Sequence, residues 1–293
     1  MALRRKRRFD LEDYDNSFLY TPNLKKASRR NPLSQPTIIK DGLVLAYDFS
    51  DKKCLNGIVN GNNNFVTDLA KKTPAQIPAP GSVTSAMPLI LMSSVFTPVV
   101  GFNGAKYTND KKGGIAFDGV GDGLWKDTTG AVGKPFGVSG TTPSTMNCWI
   151  KFNTISGEGQ IYMFWGDGFT SQMRAYFHRS SRLAVAYYNN DATSNYTPIA
   201  GKIYMITWTE SGTGEVKLYV DGVFQQTITL AAPNTASSGI IIGAGLISGS
   251  YDPNCTLYAF NIYNRVLSNN EIANNYNVTK ARFISICLKI ENI

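Results

Sequence analysis

Alternating apolar and polar positions run through the middle of this chain and predict strands rather than helices. In Thr145–Phe152, residues Met146, Cys148, Ile150 and Phe152 share one face, the period of two that marks a half-buried strand. Gly42–Phe49 and Gly114–Gly119 read as strands too. The runs 160–165, 173–177, 183–188, 203–209, 239–243 and 255–263 follow, with turn-forming residues between them, as in a sandwich. Glu215–Val220 and Val223–Ile228 alternate on either side of Asp221-Gly222, and that two-residue connection predicts a β-hairpin with a type I′ turn. One helix is expected. Ser268-Asn-Asn-Glu271 is a capping box, and it starts a short helix through about Asn277.

The pattern lapses in three places. Residues 1–36 carry no sustained apolar period and read as an extended arm, with Arg4, Arg5, Arg7, Arg8, Phe18 and Tyr20 as the residues that would dock it on a partner. Residues 74–112 mix Pro, Gly and Ser with apolar residues and read as a long inserted loop, a class that is usually functional or interfacial. The tail, 284–293, is β-prone. The expected organisation is an arm at 1–36, one domain at 37–283 and that tail, since a single all-β domain can reach this size.

Composition agrees, with 27 Gly, 15 Tyr and 15 Phe supplying turn and strand formers. The net charge of +8 suggests nucleic acid until it is divided along the chain. Residues 1–40 hold ten Lys or Arg against four acids, and the remainder nineteen against seventeen, so the positive field belongs to the arm. Nucleic-acid binding by the domain is therefore not expected, and no motif for it is present. The basic cluster runs into acids with no apolar region between, which predicts a chain kept in the cytoplasm. Met87–Phe102, broken by Pro88 and Pro98, is too short to span a bilayer, so no membrane partner is expected. Cys54, Cys148, Cys255 and Cys287 form no C-x-x-C pair, and Cys148 reads as core filler. A Cys54–Cys255 disulfide stays open, with a cytoplasmic origin against it.

Taken in order, several motifs resemble the laminin-G-like, concanavalin A-like lectin/glucanase jelly roll, especially copies in phage and bacterial surface proteins. They are GLVLAYDFS at 42–50, FDGVGDGL at 117–124, MNCWIKF at 146–152, KIYMITWTESGTGEVKLYVDGVF at 202–224, IIIGAG at 240–245 and LYAFNIYNRVLSNNEIANNYNVTKARF at 257–283. The resemblance implies an all-β, two-sheet antiparallel jelly-roll sandwich with one short C-terminal helix behind the basic arm. It also implies a non-catalytic binding or structural role, as in capsid decorations, head fibres or tail components. This is analogy of fold and layout.

Sugar binding needs an aromatic plate beside amides or carboxylates. Trp125, Trp165 and Tyr188, near loops that hold Asp167, are the candidates, with core and loop packing as the alternative explanation. Arg174 and His178 share a face of one strand and suit an anionic sugar; the favoured alternative is the polar face of a half-exposed strand. Glycosidases on this fold set two carboxylates about 5–10 Å apart. Glu158, Asp167, Asp191, Glu210 and Glu215 stand isolated, so no catalytic residue is expected. His178 is the only histidine, which excludes a multi-histidine metal site. No cofactor is expected; Asp118 and Asp122 are the oxygen ligands a calcium ion would use, without an Asp-x-Asp-x-Asp-Gly loop.

The combined expectation is a non-enzymatic virion structural or adhesion protein, assembled in a host cytoplasm and forming a homo-oligomer. It would dock on other virion proteins by its arm and display its domain to a cell-surface glycan or to its neighbours. A glycan-cleaving enzyme on the same fold and a bacterial surface lectin are the alternatives.

Overall fold

The computed structural model describes residues 37–51, 54, 65–66, 89–94, 97–98, 106–119, 123–125, 138–156, 160–166, 173–187, 189–235, 240–243 and 251–284. Apart from Thr37 they all belong to one unit, Ile38–Ile293. The arm residues named above, Cys287 and most of the tail lie outside them.

Two antiparallel sheets face each other, as the alternation requires. Sheet A runs β15 (Val223–Thr229), β14 (Glu215–Val220), β13 (Ile203–Glu210), β8 (Ser144–Phe152), β17 (Asn254–Tyr263), β6 (Gly114–Asp118) and β5 (Lys106–Thr108). Strand β1 (Leu43–Asp48) joins it on β17, whose one edge takes β6 along Asn254–Leu257 and β1 along Ala259–Tyr263. Sheet B runs β12 (Asp191–Thr193), β11 (Arg182–Ala186), β10 (Met173–Arg179), β9 (Gln160–Gly166), β16 (Ile240–Ile242), β7 (Gly123–Trp125), β3 (Leu89–Ser94) and β2 (Phe65–Val66), with β4 (Thr97–Pro98) on β3.

Met146, Cys148, Ile150 and Phe152 all enter the space between the sheets, as their spacing predicts, and meet Tyr162, Trp165, Tyr176, Leu183 and Val185 from sheet B. Cys54, Cys148 and Cys255 are buried and in no disulfide, so a Cys54–Cys255 bridge does not form. The hairpin is present, with Asp221 at φ 52° and Gly222 at φ 80°, both left-handed as a type I′ turn demands. The capping box is also present: the Ser268 hydroxyl accepts from the Glu271 amide, and helix α1 spans Asn269–Thr279. Between residues 74 and 112 the structure departs from the expectation of a loop, because β3, β4 and β5 lie there. These strands are short or interrupted by Ser and Pro, so no period announces them.

Thr145, Asn147 and Lys151 of β8 point to the outer face of sheet A, yet Thr145 and Asn147 are buried, Thr145 beneath the segment that carries Arg265 and Leu267. The Thr145 hydroxyl donates to Arg265 O at 2.8 Å and accepts from Leu267 N at 2.9 Å. Trp149 lies between Phe283 (centroids 4.2 Å) and Tyr276 (5.8 Å), and its indole N–H donates to Thr279 Oγ1 at 2.9 Å. Leu267 and Ile272 complete this second apolar cluster. On the outer face of sheet B, Phe164, Met173, Ala175, Phe177 and Ala184 form a third, also buried. Among the described residues no helix is long and apolar enough to cross a membrane.

Candidate functional site

Arg174, Tyr176 and His178 do share a face of β10, but that face is the inner one. Strand β10 is buried on both sides, so its polar residues lie inside the sandwich, where a sugar cannot reach them. Each of the three nitrogens of Arg174 has a partner there. Its Nε lies 3.1 Å from Glu210 Oε2 and donates to Thr235 Oγ1 at 2.8 Å, Nη1 donates to Ser144 Oγ, and Nη2 donates to Thr142 O at 2.7 Å. The Tyr176 hydroxyl donates to Glu210 Oε1 at 2.6 Å. Burial first, and then the Glu210 charge, hold the Tyr176 phenol protonated far above its usual range. This network ties loop 140–144 and Thr235 to both sheets and is a structural device.

His178 sits edge-on to Phe152, centroids 5.4 Å apart at 81°, with neither ring nitrogen hydrogen bonded to a described residue. Burial pulls its pKa down from 6.5 to about 4, so the ring is neutral at pH 7. Trp165 is likewise interior and packs on Tyr176, which removes it as a sugar plate. Asp122, Asp167 and Tyr188 lie outside the described residues, as does the side chain of Trp125. Asp118 is exposed at the end of β6, and among the described residues no cluster of three potential ligands could hold a metal ion.

A different group converges on the outer face of sheet A. Strand register places Ala46 of β1 opposite Asn261 of β17, and Asn261 opposite Asn147 of β8. The row forms the floor of a cleft of about 230 Å³, which α1 borders through Asn275 and Thr279 and whose rim carries Lys40, Asp48 and Asp51. Ala46, Ala259 and the edge of Trp149 add apolar surface. Asn147 Nδ2 donates to Thr207 Oγ1 at 2.8 Å, leaving its carbonyl oxygen as an acceptor. The Asn261 side chain makes no hydrogen bond to a described residue. Asn275 is committed to the scaffold: Oδ1 accepts from Ile39 N at 2.8 Å, and Nδ2 donates to Tyr263 OH at 3.0 Å. Asp48 Oδ1 is held by Ser50 N, Ser50 Oγ and Arg282 Nη1 at 2.9, 2.7 and 2.6 Å. The cleft thus offers amide donors and acceptors, carboxylates and a small apolar floor. That mixture suits a polyhydroxylated ligand, which must both donate and accept while laying C–H groups on apolar surface.

The family model of the concanavalin A-like lectin/glucanases superfamily, laminin G type, matches residues 126–273. The chain belongs to that superfamily. No curated protein matches it in sequence. Among solved structures, domain 4 of AbnA, an extracellular arabinanase from Geobacillus stearothermophilus solved with arabinotriose, superposes with a TM-score of 0.56 at 13% identity, covering 80% of this chain and 98% of that one. The ligand-binding domain of botulinum neurotoxin serotype D, solved with N-acetylneuraminic acid, gives 0.52 at 13% identity over 82% of this chain. The binding domain of Paraclostridial mosquitocidal protein 1 gives 0.53 at 14% over 81%. The match spans about half of each toxin domain, 52% in both. At such identities the likeness is one of fold.

For this concanavalin A-like domain, sequence reasoning did not find Asn147, Asn261 or Asn275. One signal existed. Asn147 and Trp149 stand on the face of β8 opposite the apolar stripe, an amide beside an aromatic, but only strand pairing brings Asn261 next to them.

Proposed function

We propose that this protein is a non-enzymatic virion structural or adhesion component that binds a glycan through the cleft between β1, β8, β17 and α1. The observation that carries the reading is the in-register pair Asn147 and Asn261 on the floor of that cleft, with acceptor and donor atoms not bonded to any described residue. A volume of about 230 Å³ accommodates a single sugar unit and falls below the range of roughly 300–1,000 Å³ usual for larger ligands. The arabinanase domain and the toxin domain with bound sugars lend the reading weight through their shared fold. The basic arm supplies attachment, in a virion assembled in the host cytoplasm. Cross-linking mass spectrometry on intact particles is expected to join residues 1–36 to another virion protein. An arm without cross-links would move the reading to a free or bacterial surface lectin.

A glycan array tests the site. Wild-type protein is expected to bind a defined set of glycans, and Asn261→Ala to weaken that binding up to about tenfold, the worth of a net hydrogen bond of about 1 kcal/mol or slightly more. Its melting temperature should not move, because Asn261 bonds to nothing described in the fold. Binding that survives Asn261→Ala and Asn147→Ala unchanged would sink the assignment.

One observation favours a second reading. Asp48 and Asp51 both line the cleft, and two carboxylates are what glycoside hydrolysis uses. Non-catalytic binding is preferred because Asp48 Oδ1 is already held by Arg282 and Ser50. Release of reducing sugar from an array-positive glycan, lost in Asp51→Asn, would establish the enzyme instead.

A further inference from the structure

The floor of the cleft is a grid of two rows set by strand register. One row reads Ala46, Asn261, Asn147 and the next Asp48, Ala259, Trp149, taken from β1, β17 and β8 in turn, and all six line the cleft. Successive rows on one face of a sheet lie about 7 Å apart, and directly opposed residues keep their Cβ atoms about 4.5–5.5 Å apart. Two amides therefore stand side by side in the first row, with the Ala259 methyl and the edge of the Trp149 indole beside them in the second. Asn147 is 2% exposed, and its Nδ2 is committed to Thr207 Oγ1 at 2.8 Å, while its carbonyl oxygen accepts from no described residue. A buried acceptor on the floor of a cleft calls for a donor from within that cleft. One strand away, Asn261 has its Nδ2 to donate.

We infer that the cleft recognises the acetamido group of an uncharged N-acetylated amino sugar, the group's N–H donating to Asn147 Oδ1, its carbonyl accepting from Asn261 Nδ2 and its methyl lying toward Ala259 and the edge of Trp149. The inference rests on the glycan-binding reading of this cleft and adds the class of sugar. A secondary amide is trans, so its N–H and C=O point in opposite directions and need an acceptor on one side and a donor on the other. The Asn147 and Asn261 pair supplies that arrangement across one inter-strand gap. A hydroxyl can meet the same two atoms by rotating, but it brings no carbon to cover the alanine. Charge points the same way. Asp48 is paired with Arg282 at 2.6 Å, and Lys40 stands on the rim against Asp51, so the cleft favours neither a free ammonium nor a carboxylate.

NMR titration of the full chain tests this, using methyl glycosides of N-acetylglucosamine and N-acetylgalactosamine against the same sugars carrying a 2-hydroxyl or a free 2-amine. The acetamido sugars are expected to bind at least about tenfold more tightly, equivalent to about 1.4 kcal/mol. In saturation-transfer spectra of the wild type the acetamido methyl should take the largest saturation, and this reading decides the matter if a variant does not fold. Asn261→Asp keeps the size of the side chain and removes its donor, and should bring the acetamido and hydroxyl sugars to within about threefold of each other, about 0.7 kcal/mol. Hydroxyl or amine sugars that bind as tightly as the acetamido ones, and lose that binding in Asn261→Ala, would overturn the inference and leave the cleft standing as a glycan site. Saturation confined to the ring protons, or a preference that survives Asn261→Asp, would overturn it as well. No binding of any of these sugars through Asn261 would remove the cleft reading and this inference with it.

Discussion

Acid should destabilise this domain through one identifiable residue. His178 is fully buried against Phe152, and neither ring nitrogen has a described partner to stabilise an imidazolium. Its pKa falls from 6.5 to about 4 on folding, through burial. The folded pKa lies below the unfolded one, so between these limits the unfolded chain takes up a proton that the folded chain refuses, and stability drops as pH falls. The contribution is intact above about pH 6.5 and is lost progressively down to about pH 4. With each pH unit worth about 1.4 kcal/mol, the loss reaches about 2 kcal/mol by pH 5 and about 3 kcal/mol in total. Because the chain has no other histidine, few other groups titrate between pH 5 and 6.5. Urea unfolding followed by circular dichroism at pH 7.5, 6 and 5 would compare wild type with His178→Leu, which removes the titrating ring. The wild type should lose about 2 kcal/mol more than the variant on going from pH 7.5 to pH 5. Parallel curves would refute the reasoning.

Two further perturbations probe the scaffold. Glu210→Gln leaves the buried Arg174 guanidinium without its counter-charge and should cost about 3 kcal/mol or more in urea unfolding at pH 7; a change under about 1 kcal/mol would mean that the hydroxyl and carbonyl partners suffice on their own. Gly222→Val should cost at least about 1–2 kcal/mol and lower the melting temperature, since Gly222 holds φ 80° and an added Cβ would sit 3.0 Å from the Cβ of Tyr276. An unchanged melting temperature would contradict the turn assignment.

The parts of the fold legible in the sequence are those fixed by local chemistry. Asp221-Gly222 announces its hairpin because few other residue pairs accept two successive left-handed conformations, and Ser268 with Glu271 announces α1 because the cap is satisfied within four residues. The apolar stripe of β8 is visible because alternation marks which residues share a face. Alternation does not say which face is inside. That is why Arg174 and His178, correctly grouped, were expected at a surface although β10 is covered on both sides. Trp165 follows the same logic: an aromatic near a loop can close the core as readily as hold a sugar. The floor of the cleft depends on register between β1, β17 and β8, strands far apart in the chain, and no local pattern encodes that pairing. The short strands β3 to β5 owe their place to neighbours rather than to any period of their own.

The most direct test of glycan binding at the cleft is a crystal structure of the chain with the tightest ligand from the array. One sugar unit within hydrogen-bond distance of Asn147 and Asn261, in the cleft beside α1, is the expected result. A glycan bound elsewhere on the sandwich, with this cleft holding only solvent, would contradict the assignment.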